Sequence, residues 1–165
     1  MSDSLYERDA LAWAEKQAEL LRRLAAGERL NEAVDWPNVI DEVQDVGLSE
    51  LRACQSLLRQ AMVHLLKLHA WPDSQAAAHW YDEAGVFLDD AADRFTPSMR
   101  QRIDPDALYA KALRRVQAAR EMSGGSPRPL PETCPFTLDE LLAGDVAGLL
   151  AKLGSSPPLP EAGAV

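Results

Sequence analysis

The 165-residue chain has little cysteine, no long apolar run and a shortage of basic side chains. Its two cysteines, Cys54 and Cys134, are too few for a disulfide framework and fit a reducing compartment. No apolar stretch approaches the roughly 18 residues that a membrane-spanning helix needs, and the N-terminal segment carries no signal-peptide core. Lysine and arginine number 17 against 26 acidic residues, so the formal charge is −9. This charge disfavours binding to nucleic acid or to an anionic membrane, and together these features predict an acidic cytoplasmic protein.

Motifs for catalysis and for phosphate binding are also lacking. The sequence contains no glycine-rich loop followed by Lys-Ser or Lys-Thr and no GxGxxG pattern. Strict alternation of apolar and polar residues, which is typical of half-buried strands, does not occur either. We therefore predict no catalytic residue and expect no cofactor, and the chain is more simply a binding protein than an enzyme.

Apolar residues, at 47% of the chain, recur instead at helical spacing. This pattern predicts an all-α fold: a helical bundle of about five main helices, followed by short C-terminal helices after a Pro/Gly-rich connector at residues 123–135. We expect one domain over residues 5–153, with the helices of 137–153 either packed on the bundle or semi-independent. Residues 154–165, rich in Pro, Ala and Gly, are predicted to form a disordered tail.

Local signals set the predicted helix boundaries. The first helix ends near Gly27, the second begins at Asp35-Trp36-Pro37 and ends at Gly47, and the third spans Leu48 to Trp71. The fourth helix is predicted to begin after a cap at Asp73 and to break at Thr96-Pro97. The next helix begins at Asp104-Pro105, where a capping residue precedes a proline. The last start is a capping box formed by Thr137 and Glu140, with a hydrophobic staple of Phe136 and Leu141.

The predicted second helix has two contrasting sides. Its apolar side consists of Val39, Ile40, Val43 and Val46. Its opposite side is acidic, and Asp41, Glu42 and Asp45 there form a candidate interaction surface. The same carboxylates would suit acid–base chemistry if they were buried, whereas a solvated acidic face is the simpler interpretation.

Three histidines are the candidate metal ligands. His64 and His69 are five residues apart, so their rings point about 140° away from each other on a helix and need help from elsewhere to bind one ion. Glu42 from the second helix, with His64 and His79, would complete an open divalent-metal site between helices. His79 and Glu83, four residues apart, form a second possible pair. Packing of single histidines beside apolar stripes is the competing interpretation.

Cysteine chemistry rests on weaker signals. Cys134 precedes a helix start, where the helix dipole favours a thiolate, but no histidine lies nearby in sequence. Cys54 lies on an apolar stripe and is most simply a core residue.

Five blocks in order carry a family resemblance: YERDALAWAEKQAELLRR, DWPNVIDEVQDVG, LLRQAMVHLLKLHAWP, HWYDEA and PETCPFTLDELL. Between Tyr6 and Leu142 the chain resembles the bacterial family called domain of unknown function 29. The resemblance implies an all-helical fold shared by small cytosolic bacterial proteins whose biochemical role is not established.

Three hypotheses for the function remain open. The first is a non-catalytic, acidic interaction or regulatory module that docks on a protein partner or on itself. The second is a metal-binding enzyme or sensor that uses Glu42, His64 and His79. The third is an antitoxin-like acidic inhibitor of a basic protein.

Overall fold

A computed structural model describes residues 5–122 and 127–155 of the chain. Within these ranges the regular structure is entirely helical, with seven α-helices and two 3₁₀ turns at Asn31–Ala33 and Pro97–Met99. The α-helices are, in chain order, α1 (Leu5–Arg8), α2 (Ala10–Ala25), α3 (Trp36–Ala70), α4 (Ala77–Arg94), α5 (Pro105–Met122), α6 (Leu138–Ala143) and α7 (Val146–Ser155). The all-α prediction is confirmed.

The chain divides into two compact units, Met1–Ser49 and Glu50–Val165. The first unit contains α1, α2 and the N-terminal part of α3, and the second contains the rest of α3 and all later helices. The expectation of one domain over residues 5–153 stays a prediction.

Helix α3 is continuous for 35 residues, so the predicted break at Gly47 is wrong. Gly47 keeps helical backbone geometry, whereas the left-handed conformation that ends helices occurs at Gly27 and Gly144. The physical reason is that the apolar row of the predicted second helix continues in phase into that of the third, as Ile40, Val43 and Gly47 are followed by Leu51. A glycine inside a helix costs only about 1 kcal/mol relative to alanine, and it stops a helix only where the apolar pattern also ends.

The first unit has a small core. Helix α2 buries one face, and Trp13, Gln17 and Leu20 on that face are buried together with Val34. Gln17, the polar residue on this face, accepts a hydrogen bond at 2.9 Å from the backbone N–H of Asp35. The carboxylate of Asp35 accepts a hydrogen bond from the indole of Trp13 at 3.1 Å. Side-chain hydrogen bonds thus hold the chain at the start of α3 in place.

The second unit is built around the C-terminal part of α3. Its buried face includes Cys54, Leu58 and Leu65, none of which exposes any surface. Helices α4 and α5 cover it with Leu88 and Tyr109, among others. The core also contains residues of both C-terminal helices, namely Leu138, Leu141, Val146, Leu149 and Leu153. Both C-terminal helices therefore contribute apolar side chains to the core of the second unit.

Helix ends follow local side-chain signals in most places. Thr137 and Glu140 form the complete predicted capping box, with N···O distances of 2.9 and 3.3 Å. The carboxylate of Asp104 accepts backbone hydrogen bonds at the start of α5. The start of α4 differs from the prediction, because turns occupy the residues after Asp73 and the helix begins at Ala77 without a side-chain cap.

The Pro/Gly-rich connector buries more than its composition indicates. Leu130 is fully buried, and the hydroxyl of Tyr109 donates a hydrogen bond at 2.8 Å to the carbonyl of Pro131. Burial raises the pKa of Tyr109 well above its usual range. The backbone N–H of Arg128 also donates to the carbonyl of Ala70 at the end of α3. The predicted tail at 154–165 is helical at Gly154 and Ser155, and the rest of it lies outside the described residues.

Candidate functional site

Three polar side chains meet between α3 and α4 in the second unit. Glu83 contacts two histidines: His64 Nε2 lies 3.1 Å from one carboxylate oxygen, and His79 Nε2 lies 3.4 Å from the other. The His79 contact is local, because α4 places residues four apart on one face, and it is the pair predicted from the sequence. The His64 contact joins two helices and was not predicted.

His64 is the buried member of this cluster, with 14% of its side chain exposed. Its ring packs against Phe87 with 5.5 Å between ring centroids, and its Nδ1 is buried with no hydrogen-bond partner in the part of the chain that the structure describes. Burial is the largest influence on the pKa of His64 and lowers it. The Glu83 carboxylate opposes this effect by favouring the charged ring. Burial therefore weakens the ion pair that a protonated His64 would form with Glu83.

Glu42, the third ligand proposed from the sequence, has a partner of its own. Glu42 belongs to the first unit, where its carboxylate accepts a hydrogen bond from the hydroxyl of Tyr6 at 2.7 Å. This hydrogen bond is the largest of the influences that raise the pKa of Tyr6. Because α3 is unbroken, Glu42 and His64 are on one helix rather than on two facing helices. Among residues 5–122 and 127–155, no group of three or more His, Cys, Asp or Glu side chains is arranged to hold a metal ion.

The predicted acidic interaction surface is only partly free. Asp41 and Asp45 are exposed, whereas Glu42 is half-buried and engaged by Tyr6. The exposure of Asp41 and Asp45 fits a solvated acidic face.

An exposed apolar surface on α3 was missed. The spacing identified the apolar side of the predicted second helix but not its exposure, and Ile40, Val43 and Val46 expose 52%, 70% and 68% of their surface. Trp36 precedes them on the same side and is also exposed. We call Trp36, Ile40, Val43 and Gly47, which follow one another at steps of four, three and four residues, the α3 row. Periodicity shows which side of a helix is apolar but does not show whether anything covers it.

The two ends of the α3 row have defined environments. The indole N–H of Trp36 is 3.0 Å from both the backbone and the side-chain oxygen of Asn31, which fixes the ring at the start of the helix. At the other end, a Cβ added to Gly47 would meet no atom within 4 Å. The row therefore begins with a held aromatic ring and ends at bare helical backbone.

The two cysteines occupy different environments. Cys54 is completely buried, as the sequence predicted for a core residue. At Cys134, burial is the main cause that raises the pKa of the thiol to about 11, which outweighs the helix-dipole effect noted from the sequence. The carboxylates of Asp104, Asp106 and Glu140 act in the same direction. Neither cysteine has the environment of a nucleophile.

None of the described helices is both long enough and apolar enough to cross a membrane.

Comparison with known proteins finds a family and a solved structure to which the chain is similar. A family model described as domain of unknown function DUF29 matches residues 5–146. A crystal structure of an alpha-helical protein of unknown function from Rhodospirillum rubrum ATCC 11170 is similar, with 30% sequence identity and a TM-score of 0.70. The similarity covers 93% of this chain and 99% of that one. No curated protein matches the chain. The match over most of its length shows that this chain belongs to the DUF29 family.

Proposed function

We propose that the protein is a non-catalytic helical interaction module and that the α3 row is its docking surface for another helix. The observation that carries this proposal is the exposure of large apolar side chains at regular helical spacing on the first unit. Contiguous exposed apolar patches in otherwise polar surroundings are typical of protein–protein contact sites. Apolar anchors spaced by three and four residues are typical of helix-to-helix recognition.

The small core of the first unit supports the proposal. Among its described side chains, the buried apolar residues are Trp13, Leu20 and Val34, while Ile40, Val43, Val46 and Leu11 remain largely exposed. A two-helix arrangement of fewer than 50 residues buries too little apolar surface to be very stable by itself. A further helix laid on the α3 row would add the missing apolar contacts.

Two unpaired cysteines support a cytoplasmic location for this module. Cys54 and Cys134 are both free thiols, which fits a reducing compartment.

A site-specific photocrosslinker tests the docking surface in the cells that make the protein. We would place benzoylphenylalanine at Ile40 or Val43, and at Asp45 as a matched control on the opposite side of α3. The proposal expects protein adducts from the two row positions, attached to an apolar helix face of the crosslinked protein, and few from Asp45. Equal yields from all three positions, or no adduct from the row, would contradict it.

A further inference from the structure

We infer that the helix that covers the α3 row is the α3 row of a second copy of this chain. The inference rests on the proposed function and specifies its partner. Four features of the row support it: its spacing, the charges beside it, its glycine and the number of helices that two copies would bring together.

The spacing of the α3 row is that of a coiled-coil seam. Trp36, Ile40, Val43 and Gly47 alternate steps of four and three residues, which keeps a stripe facing one partner along a helix. The apolar side chains of Val39 and Val46 flank this stripe on one side. A seam of this kind suits pairing with another helix that has the same spacing.

The charges beside the row favour a second copy over a cationic partner. At about 100° per residue, Asp41 and Glu42 lie roughly 130° from the centre of the row on either side, and Asp45 lies roughly 170° away. Between Trp36 and Gly47, the positions next to the seam are Val39 and Val46 on one side and the uncharged Gln44 on the other. The carboxylate of Glu50 follows one step of three residues after Gly47, and Arg94 pairs with it at 3.0 Å. A basic helix laid on the row would therefore find no unpaired carboxylate beside these positions, and between Trp36 and Gly47 two copies can pair without bringing like charges together.

Gly47 provides the third feature. A glycine inside a helix is unfavourable by about 1 kcal/mol relative to alanine, and no neighbouring atom within 4 Å explains its presence. At a seam position, a missing side chain lets two helix backbones approach each other closely. Close approach at Gly47 would also bring the flanking Val46 side chains into contact with the partner.

Pairing of two copies would give a familiar arrangement of helices. Each first unit contributes α2 and the N-terminal part of α3, so two copies bring four helices together, which is the number that encloses an apolar core in a bundle. Trp36, a rigid aromatic residue already held by Asn31, would be the main anchor in each copy.

The test is the oligomeric state of the purified full chain as a function of concentration, measured by sedimentation equilibrium. The inference expects a monomer–dimer equilibrium that is weakened about tenfold or more by Ile40→Asp and by Val43→Asp. Leu11→Asp is the matched control, because Leu11 is 72% exposed in the same unit but lies outside the row. This variant should dimerise as tightly as the unaltered chain. Far-UV circular dichroism checks that each variant is folded.

Gly47→Leu is a second row variant that adds no charge. It should strengthen an isolated helix but weaken the dimer, because the added side chain keeps the two backbones apart. The same loss in Leu11→Asp as in the row variants, or a dimer that no row variant weakens, would overturn the inference.

A chain that stays monomeric at all concentrations would overturn the second-copy inference but not the proposed function. In that case, photocrosslinks from Ile40 and Val43 to a different protein would keep the docking surface and change its partner. A monomeric chain without row-specific photocrosslinks would contradict both.

Discussion

At the scale of single residues, His64 makes the stability of the second unit depend on pH. Its ring is enclosed by Phe87 and Glu83, and it also lies near the positive charges of Lys67 and Arg115 and near His79. Burial disfavours the charged ring more than Glu83 favours it. The folded chain therefore binds a proton at His64 less tightly than the unfolded chain does.

This difference predicts the direction of the pH dependence. Because the folded-state pKa of His64 lies below its ordinary value of about 6.5, its contribution to the free energy of unfolding is fully present above that pH. The contribution is lost as the pH falls through the folded-state pKa. We expect the free energy of unfolding, measured with urea, to be lower at about pH 5.5 than at about pH 7. This decrease should be smaller in the His64→Leu variant.

His79→Leu is the matched control, since it removes an exposed histidine from the same carboxylate. It should keep most of the pH dependence of the unaltered chain. His69, whose pKa is also lowered by burial, accounts for a part that remains in both variants. A His64→Leu variant with the full pH dependence would show that other groups are responsible.

The contact between His64 and Glu83 illustrates which residue-level features the sequence could predict. The His79–Glu83 contact follows from a spacing of four residues on one helix. His64 and Glu83 are on different helices, and their contact depends on how α3 and α4 pack in the second unit. No local rule specifies that packing, so the contact between His64 and Glu83 could not be predicted from the spacing of residues along the chain.

At the scale of elements, the best-specified helix start is that of α6. Thr137 caps this short helix, and Glu140 completes the capping box and also forms an ion pair with Lys152. The hydrogen bond from Lys152, together with those from Thr137, lowers the pKa of Glu140 to about 2. Because Leu138 and Leu141 of α6 are in the core, loss of this cap should affect the whole second unit.

We expect Thr137→Ala to lower the free energy of unfolding by about 1 kcal/mol, since it leaves a backbone N–H of the first turn without its partner. Chemical denaturation measures this change. Thr96→Ala is the control: Thr96 also precedes a short helix but makes no side-chain cap, so its replacement should cost much less. Equal losses in the two variants would mean that the cap does not stabilise α6 in solution.

The helix ends predicted at Gly27, Asp104 and Thr137 agree with the structure. Those predicted at Gly47 and Asp73 are wrong. Asp104 and Thr137 each accept a backbone hydrogen bond in the first turn of the helix that follows, and such a bond needs only neighbouring residues. At Gly47 the apolar row continues in phase, so α3 does not end there. The exposure of that row depends on what lies beside the helix, which the spacing of residues along one chain cannot show.

At the scale of the whole molecule, association of two copies is opposed by the formal charge of −9 on each. This repulsion acts over the Debye length, about 30 Å at 0.01 M salt and about 10 Å at 0.1 M. The contacts expected at the α3 row are apolar and hardly depend on salt. The salt dependence of the dimer therefore reports whether charges attract or repel at the interface.

We expect dimerisation to become a few-fold tighter as sodium chloride rises from about 0.02 M to about 0.3 M, because salt screens the repulsion and leaves the apolar contacts intact. Sedimentation equilibrium at several salt concentrations measures this effect. A double variant, Asp41→Asn with Asp45→Asn, lacks two negative charges that lie away from the seam. It should dimerise more tightly than the unaltered chain at low salt, and added salt should change its dimerisation less. Dimerisation that weakens as salt is added would contradict the apolar seam, since it would show that ion pairs hold the two copies together.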